Sequence, residues 1–330
     1  MAQTQVEHHP ETKGWWTKRC IIPGRLEGKL AIVTGASSGI GLVTTTELAR
    51  RGAVVIMACN DLEKAQKAKD KLLEVYGEQN PKSTQINVTD ASVASSLSPI
   101  KSEQLILEHV DLASLQSVRD FVEKFGSTHD HLDYLVNSAA IFHEYAQTGD
   151  GFEMTMAVNY LGPFLLTELL VPYLQRSSAA RIVNVTSRVA KLGRLYKPDL
   201  QIPQAEYRSW PAYCQSKLAN VMHAFELGRR LAETNIRAVS VNPGPVSTEV
   251  EKDMHAGLFR VLIQPFTKTP WEGAQTVLYA ILSESLVNGG YYTECASCDP
   301  GAIVRNDAER EWLWKRSREL VGLDQTTTEK

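Results

Sequence analysis

The 330-residue sequence has no long hydrophobic run and no marked excess of one charge sign. No stretch reaches the roughly 20 apolar residues that a membrane-spanning helix requires, so we expect no transmembrane anchor. Residues 1–13 are almost wholly polar, which argues against a signal peptide. The formal net charge of -3 provides no basic surface for nucleic acid, and we expect none as a partner.

Cysteine is also scarce. The five cysteines are scattered and odd in number, which favours reduced thiols over a disulfide framework. Cys295 and Cys298 have the spacing of a zinc or redox pair, but a zinc site needs two more ligands and no second pair exists. We interpret both as thiols of a surface loop and predict no metal site. Reduced thiols indicate an intracellular protein, which we expect to be cytoplasmic.

What the chain does contain is a regular alternation of strand-like apolar runs and helical patterns. This alternation predicts an α/β protein with a single-domain Rossmann fold, a doubly wound, mostly parallel sheet with helices on both faces. The expected strands lie at residues 29–34, 53–59, 105–112, 132–137, 181–186, 236–241 and 290–293. The expected helices lie at residues 39–51, 61–76, 114–125, 152–174, 211–231 and 271–282.

The predicted domain covers residues 29–323, between an N-terminal arm at 1–28 and a short tail at 324–330. Inside the domain, residues 77–102 form a polar insertion that is longer than a usual connection. We expect this insertion to be functional or disordered rather than part of the core.

The N-terminal arm has one distinctive cluster, which consists of Trp15, Trp16, Lys18 and Arg19. We expect the arm to pack on the domain. Peripheral contact with a membrane is the alternative, because aromatic and cationic side chains suit a membrane interface.

Tyr213 and Lys217 stand four residues apart on a predicted helix. Residues at this spacing share one helix face, so the lysine ammonium can lie beside the phenol. A neighbouring positive charge lowers the tyrosine pKa, here by about one to three units from its usual value of about 10. Such a tyrosine can donate or accept the proton when a carbonyl and an alcohol interconvert.

A glycine-rich turn follows the first predicted strand and opens the first predicted helix. Its residues are Gly35, Ser37, Ser38, Gly39, Ile40 and Gly41. Glycines allow backbone N–H groups to approach a pyrophosphate, and the helix N-terminus adds partial positive charge. Together with the tyrosine and lysine, this turn indicates an oxidoreductase that uses a nicotinamide dinucleotide.

The glycine turn and, after it in the chain, the Tyr213–Lys217 pair resemble motifs of the short-chain dehydrogenase/reductase family. The resemblance extends over nearly the whole chain. Residues 272–276 and 313–317 resemble the family's retinol-dehydrogenase-like branch more narrowly. The resemblance implies a catalytic tetrad of Asn159, Ser187, Tyr213 and Lys217. It implies further cofactor contacts from Asp111, Leu112, Asn137, Ala139, Pro243, Gly244, Val246 and Thr248.

The tetrad also makes chemical sense. Hydride transfer to a carbonyl carbon leaves negative charge on the oxygen, which needs a proton and hydrogen-bond donors. Tyr213 would supply the proton, and Ser187 a hydrogen bond to the same oxygen. The resemblance implies that Lys217 also bonds the nicotinamide ribose, that Asn159 holds a water linking Lys217 to solvent, and that Thr248 contacts the carboxamide.

The chain departs from the family pattern after the fourth predicted strand. The family has Asn-Asn-Ala-Gly there, whereas residues 137–140 are Asn-Ser-Ala-Ala. The added methyl group of Ala140 is tolerated where the backbone φ is negative. We therefore expect the cofactor to bind in spite of this change.

The end of the second strand bears on the choice of cofactor. An acidic residue there would bond the ribose 2′-OH of NAD, and a basic one the 2′-phosphate of NADP. This chain has Cys59 and Asn60, with Lys64 one helical turn further and Asp61 as the opposing charge. We expect Asn60 to contact the cofactor and NADP(H) to be preferred, with NAD(H) as the alternative.

The substrate side is expected to be covered by residues 249–269. Their apolar side chains are Met254, Leu258, Phe259, Leu262, Ile263 and Phe266. Such a cover favours a lipophilic substrate, for example a retinoid, a steroid or a medium-chain aldehyde. An equal alternative is that these side chains belong to the core.

The sequence thus predicts an NAD(P)(H)-dependent oxidoreductase that interconverts a lipophilic aldehyde or ketone and its alcohol. One alternative is a non-catalytic NADP(H)-binding regulatory or scaffold protein, although such proteins tend to lose the tetrad. Another is an epimerase or dehydratase on nucleotide-sugars, which usually has a longer C-terminal domain, and the fold alone does not separate these functions. The resemblance also implies a homodimer through 152–174 and 211–231.

Overall fold

The computed structural model describes residues 18–88, 90–246 and 268–324. The strands in these ranges are β1 (Leu30–Thr34), β2 (Val54–Cys59), β3 (Leu105–His109), β4 (Tyr134–Asn137), β5 (Ala180–Val185), β6 (Ile236–Asn242), β7 (Tyr291–Thr293) and β8 (Ala296–Cys298). They form one sheet in the order β3-β2-β1-β4-β5-β6-β7-β8. Neighbouring strands are parallel, except that β7 and β8 are antiparallel.

Helices connect most of the strands. They are α1 (Gly39–Arg50), α2 (Leu62–Tyr76), α3 (Ala91–Ala94), α4 (Leu115–Thr128), α5 (Met154–Met156), α6 (Gly162–Leu174), α7 (Ser209–Arg230), α8 (Pro270–Leu282), α9 (Ala302–Arg305) and α10 (Asp307–Leu320). A π-helical turn, Ala157–Leu161, joins α5 to α6. Short 3-10 turns lie at Ser102–Gln104 and Arg188–Leu192.

Two hydrophobic cores lie on opposite faces of the sheet, because successive residues of a strand point to opposite sides. In β1, Ile32 packs into one core, and Ala31 and Val33 pack into the other. The helices α4, α6 and α7 cover the first face, and α1, α2 and α8 cover the second. This architecture confirms the predicted single-domain, doubly wound Rossmann fold.

The strand order reverses at β1, which lies between β2 and β4. The chain moves outward from β1 to β3 and then returns to the centre of the sheet at β4. Where two halves of a parallel sheet diverge in this way, the loops at the carboxyl ends of the strands leave a crevice between them. The fold therefore predicts a binding site at this edge of the sheet.

The described part of the insertion, residues 77–88 and 90–102, packs on α1 rather than lying outside the core as expected. Arg50, at the end of α1, is fully buried and donates hydrogen bonds to the carbonyl oxygens of Ser83 (3.3 Å) and Ile86 (2.7 Å). A buried guanidinium must find acceptors, and these carbonyl oxygens anchor the segment.

The described part of the N-terminal arm, residues 18–28, packs on the same insertion. The backbone N–H of Gly24 donates to Ser96 Oγ at 2.9 Å, and Ser92 Oγ donates to the carbonyl oxygen of Ile21 at 3.4 Å. Trp15 and Trp16 lie outside the described residues. The arm, the domain bounds and the tail stay predictions.

The sequence patterns predict no element after residue 293, whereas the structure has β8, α9 and α10 there. In α10, only Arg310, Leu313, Trp314 and Ser317 are buried, so its apolar stripe is too narrow to produce a clear periodicity. The Trp314 ring packs edge-on against Phe164 of α6, with 5.4 Å between centroids, and α10 also lies against α7. It thus covers part of the face that we expect to pair in a homodimer, which stays a prediction.

Among the described helices, the continuous stretch Met154–Leu174 is long and apolar enough to cross a bilayer, by length and composition. However, 72% of its apolar window is buried inside the fold, where it packs as a central element of the first core. A single buried helix of this kind is weak support for a membrane span. The cytoplasmic location stays a prediction.

Candidate active site

A cleft of about 960 Å³ opens at the carboxyl ends of the parallel strands. It runs from the turn after β1, past the ends of β2 and β3, to the ends of β5 and β6 and the start of α7. Most of the predicted site residues line it, namely Gly35, Ser37, Ser38, Gly39, Ile40, Gly41, Asn60, Asp111, Leu112, Ala139, Ser187, Tyr213, Lys217, Pro243, Gly244 and Val246.

The turn after β1 has glycines because the backbone approaches other backbone closely there. A Cβ at Gly41 would lie 2.4 Å from the carbonyl oxygen of Gly35, and a Cβ at Gly35 would lie 2.9 Å from the Cα of Ala139. Gly35 also has a φ of +66°, which a larger residue rarely adopts. The first turn of α1 contains no acidic side chain, so its N-terminus suits an anionic group such as a pyrophosphate.

Two predicted site residues lie behind the cleft wall, and a third is not described. The Asn137 side chain is buried, and its Nδ2 donates to Thr167 Oγ1 at 3.0 Å and to Asn184 Oδ1 at 2.9 Å. Asn159 is also buried behind the wall. Thr248, like residues 249–267 of the expected cover, lies outside the described residues.

Ala140 fits its place in the cleft wall. Among the described residues, a positive φ at a non-glycine position occurs only at Asn87, Leu200, Glu294 and Cys295. Ala140 thus has the backbone conformation in which an alanine replaces a glycine without strain. The departure from the family pattern leaves the cleft open at this point, where Ala140 is itself a lining residue.

At the end of β2, the cleft is lined by Cys59, Asn60 and Lys64. The Asp61 carboxylate accepts a hydrogen bond from the backbone N–H of Lys64 at 2.9 Å and so caps α2. Burial raises the pKa of the Cys59 thiol, which keeps this residue neutral. This end of the cleft therefore offers an amide and a cation, with the nearby acid engaged in capping.

The helix α7 carries Tyr213 and Lys217 on one face, as their spacing predicts. Pro211 lies in the first turn of this helix, where a missing N–H is tolerated. The Lys217 Nζ donates to the carbonyl oxygen of Val185 at 3.2 Å and lies 5.4 Å from the centroid of the Tyr213 ring. Lys217 is 2% exposed and Tyr213 is 7% exposed, so both are largely withdrawn from water.

Burial, rather than the neighbouring charge, dominates the titration of this pair. It raises the pKa of the Tyr213 phenol well above its usual value and lowers the pKa of the Lys217 ammonium to about 8. Each charged form loses its hydration in the interior of the protein. The expected fall in the tyrosine pKa is wrong for this arrangement, since a lysine with a pKa of about 8 is itself partly neutral.

Ser187 lies just beyond Thr186 at the end of β5 and caps the 3-10 turn Arg188–Leu192, where its Oγ accepts from the backbone N–H of Val189 at 3.5 Å. The adjacent Thr186 Oγ1 donates to the carbonyl oxygen of Lys217 at 2.8 Å, which joins the end of β5 to α7. These contacts place Ser187 at the mouth of the cleft that Tyr213 and Lys217 also line.

Asn159 lies in the π-helical turn and braces the site from behind. Its side-chain amide accepts from the N–H of Ile141 at 2.8 Å, donates to the carbonyl oxygen of Ile141 at 2.9 Å, and donates to Ser216 Oγ at 3.1 Å. Its own carbonyl oxygen accepts from Asn220 Nδ2 at 2.8 Å. Since Ser216 and Asn220 flank Lys217 on α7, Asn159 ties the loop at Ile141 to that helix. The water relay stays a prediction.

A comparison with known protein families identifies the family to which the chain belongs. The model of the short chain dehydrogenase family matches residues 29–99 and 84–258, which is more than half of the chain. The chain belongs to the short-chain dehydrogenase family.

Relatives of this short-chain dehydrogenase include retinol dehydrogenase 11 from Homo sapiens, which is 37% identical over 310 residues that cover 92% of this chain and 89% of that relative. Retinol dehydrogenase 12 from Bos taurus is also 37% identical over 310 residues, with 92% and 90% covered. These matches place the chain in the retinol-dehydrogenase-like branch, and it is an oxidoreductase.

Solved structures share its fold. An uncharacterized protein from Mycobacterium paratuberculosis has a TM-score of 0.68 at 30% identity, over 93% of this chain and 98% of that one. A short chain dehydrogenase from Shigella flexneri, solved in complex with NADP, has a TM-score of 0.61 at 22% identity, over 82% of this chain and 98% of that one.

One wall of the short-chain dehydrogenase site was missing from the sequence-based prediction. It consists of Ile141, His143, Met154, Val158, Arg188, Val189 and Trp210, of which Val158 belongs to the π-helical turn and Trp210 to α7. Most of these residues are apolar, and most lie in loops and short turns that carry no motif. The position of Ile141 just past the end of β4 was the available signal, because loops after parallel strands line such crevices.

Proposed function

We propose that this short-chain dehydrogenase binds NADP(H) and interconverts a lipophilic, retinoid-like alcohol and its aldehyde or ketone. The observation that supports this most strongly is that one cleft is lined both by the glycine turn and by Ser187, Tyr213 and Lys217. The first part suits the phosphates of a dinucleotide. The second part suits proton transfer to a carbonyl oxygen.

The cleft fits a nicotinamide dinucleotide. A Cβ at Gly41 would overlap the Gly35 carbonyl oxygen, so the turn can present its backbone at close range. Asp111 and Leu112 line the cleft beyond the end of β3 and would hold the adenine. Asn60 and Lys64 would hold a 2′-phosphate, and this favours NADP(H) over NAD(H). When bound, the nicotinamide supplies or accepts a hydride.

The pKa values of the tetrad suit a proton donor. Because burial raises the pKa of Tyr213, its phenol is protonated at neutral pH and can donate a proton to a carbonyl oxygen. The Ser187 hydroxyl would donate a hydrogen bond to the same oxygen. Lys217, with a pKa of about 8, gains and loses a proton close to neutrality and would return a proton to the site.

The apolar wall supports a lipophilic substrate. Ile141, Met154, Val158, Val189 and Trp210 line the cleft and offer few hydrogen bonds to a sugar. Relatives with 37% identity are retinol dehydrogenases 11 and 12, which supports a substrate of the retinoid type. The carbonyl-reductase activity predicted from the sequence is part of this proposal.

The test compares the purified protein with Tyr213→Phe and with Tyr279→Phe, a matched change on α8. NADPH consumption is measured with a retinoid aldehyde and a panel of lipophilic aldehydes and ketones, and NADPH and NADH binding are measured separately. Tyr213→Phe is expected to lower turnover about a hundredfold or more, the usual scale for a lost general acid, and to retain NADPH binding. Tyr279→Phe should behave as the wild type.

Turnover that survives in Tyr213→Phe would refute the role of this tyrosine. Tight NADPH binding without turnover on any substrate would favour the regulatory or scaffold alternative. A wild-type protein that binds neither NADPH nor NADH would refute the proposed function as a whole.

A further inference from the structure

An ion pair lies beside the loop after β6. The Lys268 Nζ pairs with Glu294 Oε1, and Glu294 lines the cleft. Lys268 is only 8% exposed, so its cation depends on this partner for compensation. The second carboxylate oxygen of Glu294 is buried and has no hydrogen-bond partner in the described part of the chain.

Lys268 holds the loop 243–246 through both its backbone and its side chain. Its N–H donates to the carbonyl oxygen of Pro245 at 2.6 Å, and it forms a parallel β-bridge with Val246. A Cβ at Gly244 would lie 3.1 Å from both Cε and Nζ of Lys268, so the lysine stem runs directly along the loop. Displacement of the Lys268 side chain would therefore remove a packing contact of this loop.

Glu294 is held by an unusual turn. Glu294 and Cys295 connect β7 to β8 with φ values of +50° and +54°, which are rare for residues other than glycine. The N–H of Cys295 donates to Thr276 Oγ1 of α8 at 3.4 Å, which pins the turn. Backbone strain of this kind persists where the surrounding structure supports it, and it concentrates at functional sites.

The α8 helix supports both ends of this arrangement. A Cβ at Gly273 would lie 2.5 Å from a methyl carbon of Val246, so the glycine lets α8 reach the loop. Thr276, one turn further, is the residue that pins the Glu294 turn. Residues 272–276 resemble one branch of the family in sequence. In the structure they contact the loop 243–246 and the Glu294 turn beside the cleft.

The loop 243–246 also adjoins the residues proposed to transfer a proton. The Asn242 Oδ1 accepts from the N–H of Arg188 and from the N–H of Gly244, both at 3.1 Å. Arg188 follows Ser187, so the loop lies against the reacting end of the cleft. The glycine turn lies towards the other end of the cleft, where the phosphates and the adenosine half would bind.

We propose that the Lys268–Glu294 ion pair positions the loop 243–246 for the nicotinamide half of the cofactor. This inference rests on the proposed function. Both residues act through the loop and are positioning residues. Loss of the Glu294 charge leaves the buried Lys268 cation without compensation, and loss of the Lys268 charge leaves the partly exposed Glu294 carboxylate unpaired beside the loop, so the loop moves while the far end of the cleft keeps its shape.

The test measures the dissociation constants of NADPH and of adenosine 2′,5′-bisphosphate, which lacks the nicotinamide, by calorimetry. Glu294→Gln and Lys268→Met are each expected to weaken NADPH binding about tenfold, the scale of a partly exposed buried pair. Binding of the bisphosphate should change less than about twofold, which also shows that the variant is folded. Lys268→Arg keeps the charge and should retain most of the NADPH affinity.

Glu108→Gln is the matched control. It removes a carboxylate whose Oε2 lies 2.5 Å from the Lys124 Nζ, and this pair is not part of the cleft lining. An unchanged NADPH affinity in both Glu294→Gln and Lys268→Met would overturn the inference, as would an equal loss for both ligands. If Glu294→Gln fails to fold, the two Lys268 variants decide by the same criterion. A wild-type protein that binds neither ligand would instead overturn the proposed function.

Discussion

The two ends of the cleft are built in different ways. At the glycine turn, the surface is backbone, and its shape follows from close contacts such as the 2.4 Å that would separate a Gly41 Cβ from the Gly35 carbonyl oxygen. At the Tyr213 end, the surface consists of side chains that other elements hold in place. Lys217 bonds to β5, and Asn159 bonds to the loop at Ile141.

This difference shows which properties of a site are local. The shape of the glycine turn depends on a backbone contact between residues close in sequence, Gly35 and Gly41, and on one backbone contact with Ala139. A buried tyrosine and lysine take their protonation from everything that packs around them, and here that packing reverses the expected shift of the tyrosine pKa. A substitution that changes only the shape of the backbone disrupts the glycine-turn end. A change in the solvation of Tyr213 and Lys217 disrupts the other end.

The largest loss of cofactor binding is expected from Gly41→Ala. The new methyl group would collide with the Gly35 carbonyl oxygen, which cannot rotate away. This collision destabilises the native conformation of the turn by about 3 kcal/mol. NADPH binding should weaken about a hundredfold, as measured by fluorescence titration. Gly149→Ala is the control, because a Cβ there meets nothing within 4 Å. Equal affinities for the two variants would mean that the turn can widen without loss.

Asn159→Ala tests the Tyr213 end of the cleft. It removes three hydrogen bonds that tie Ile141 and Ser216 together, so we expect a loss of about 2 kcal/mol in the free energy of unfolding. Turnover should fall by about tenfold to thirtyfold because the loop and α7 lose their alignment, while the NADPH dissociation constant stays within about twofold. Asn235→Ala, at a more exposed amide, is the control. A large loss of NADPH affinity in Asn159→Ala would contradict the separation of the two ends.

Lys64→Gln sharpens the comparison within the adenosine half. If Lys64 meets the 2′-phosphate, removal of its charge should lower the preference for NADPH over NADH about tenfold in kcat/KM, through NADPH alone. Lys67→Gln removes an exposed cation from the same helix and serves as the control. A preference that falls equally in both variants would point to general charge rather than to a specific contact.

The smallest effect is a pH dependence. Since the pKa of Lys217 is lowered to about 8 in the folded protein, the unfolded chain binds more protons than the folded one between pH 8 and pH 9. The free energy of unfolding of the wild type, relative to Lys217→Met, should therefore rise by about 1 kcal/mol over that interval. Urea unfolding at the two pH values measures this difference, with exposed Lys71→Met as the control. A flat or falling difference would show that Lys217 stays charged.

The sequence predicts well what depends on local pattern. The parallel strands, the glycine turn and the shared face of Tyr213 and Lys217 follow from periodicity and spacing, and the structure brings them to one cleft. The direction of the tyrosine pKa shift could not be predicted, because it depends on burial by segments far away in the chain. The Lys268–Glu294 pair is hidden for the same reason, since the two residues lie on either side of α8 in the chain and their separation follows no motif.

The C-terminal helix α10 was also hidden, because its buried stripe is narrow. Trp314 of α10 packs on Phe164 of α6 and on His223 of α7, and the described part of the insertion packs on α1 through Arg50. In both cases a single buried side chain, the Trp314 ring of α10 or the Arg50 guanidinium beneath the insertion, anchors a segment of polar composition. Composition averages over such anchors, whereas packing depends on each of them.

The covering of α6 and α7 by α10 has a consequence for behaviour on dilution. A helix attached to the same chain reaches its binding face at a local concentration set by the connecting residues, not by how many molecules are present. The part of the face that α10 covers is therefore closed at any abundance of the protein. The support that α10 gives to α7, which carries Tyr213, does not depend on a second molecule.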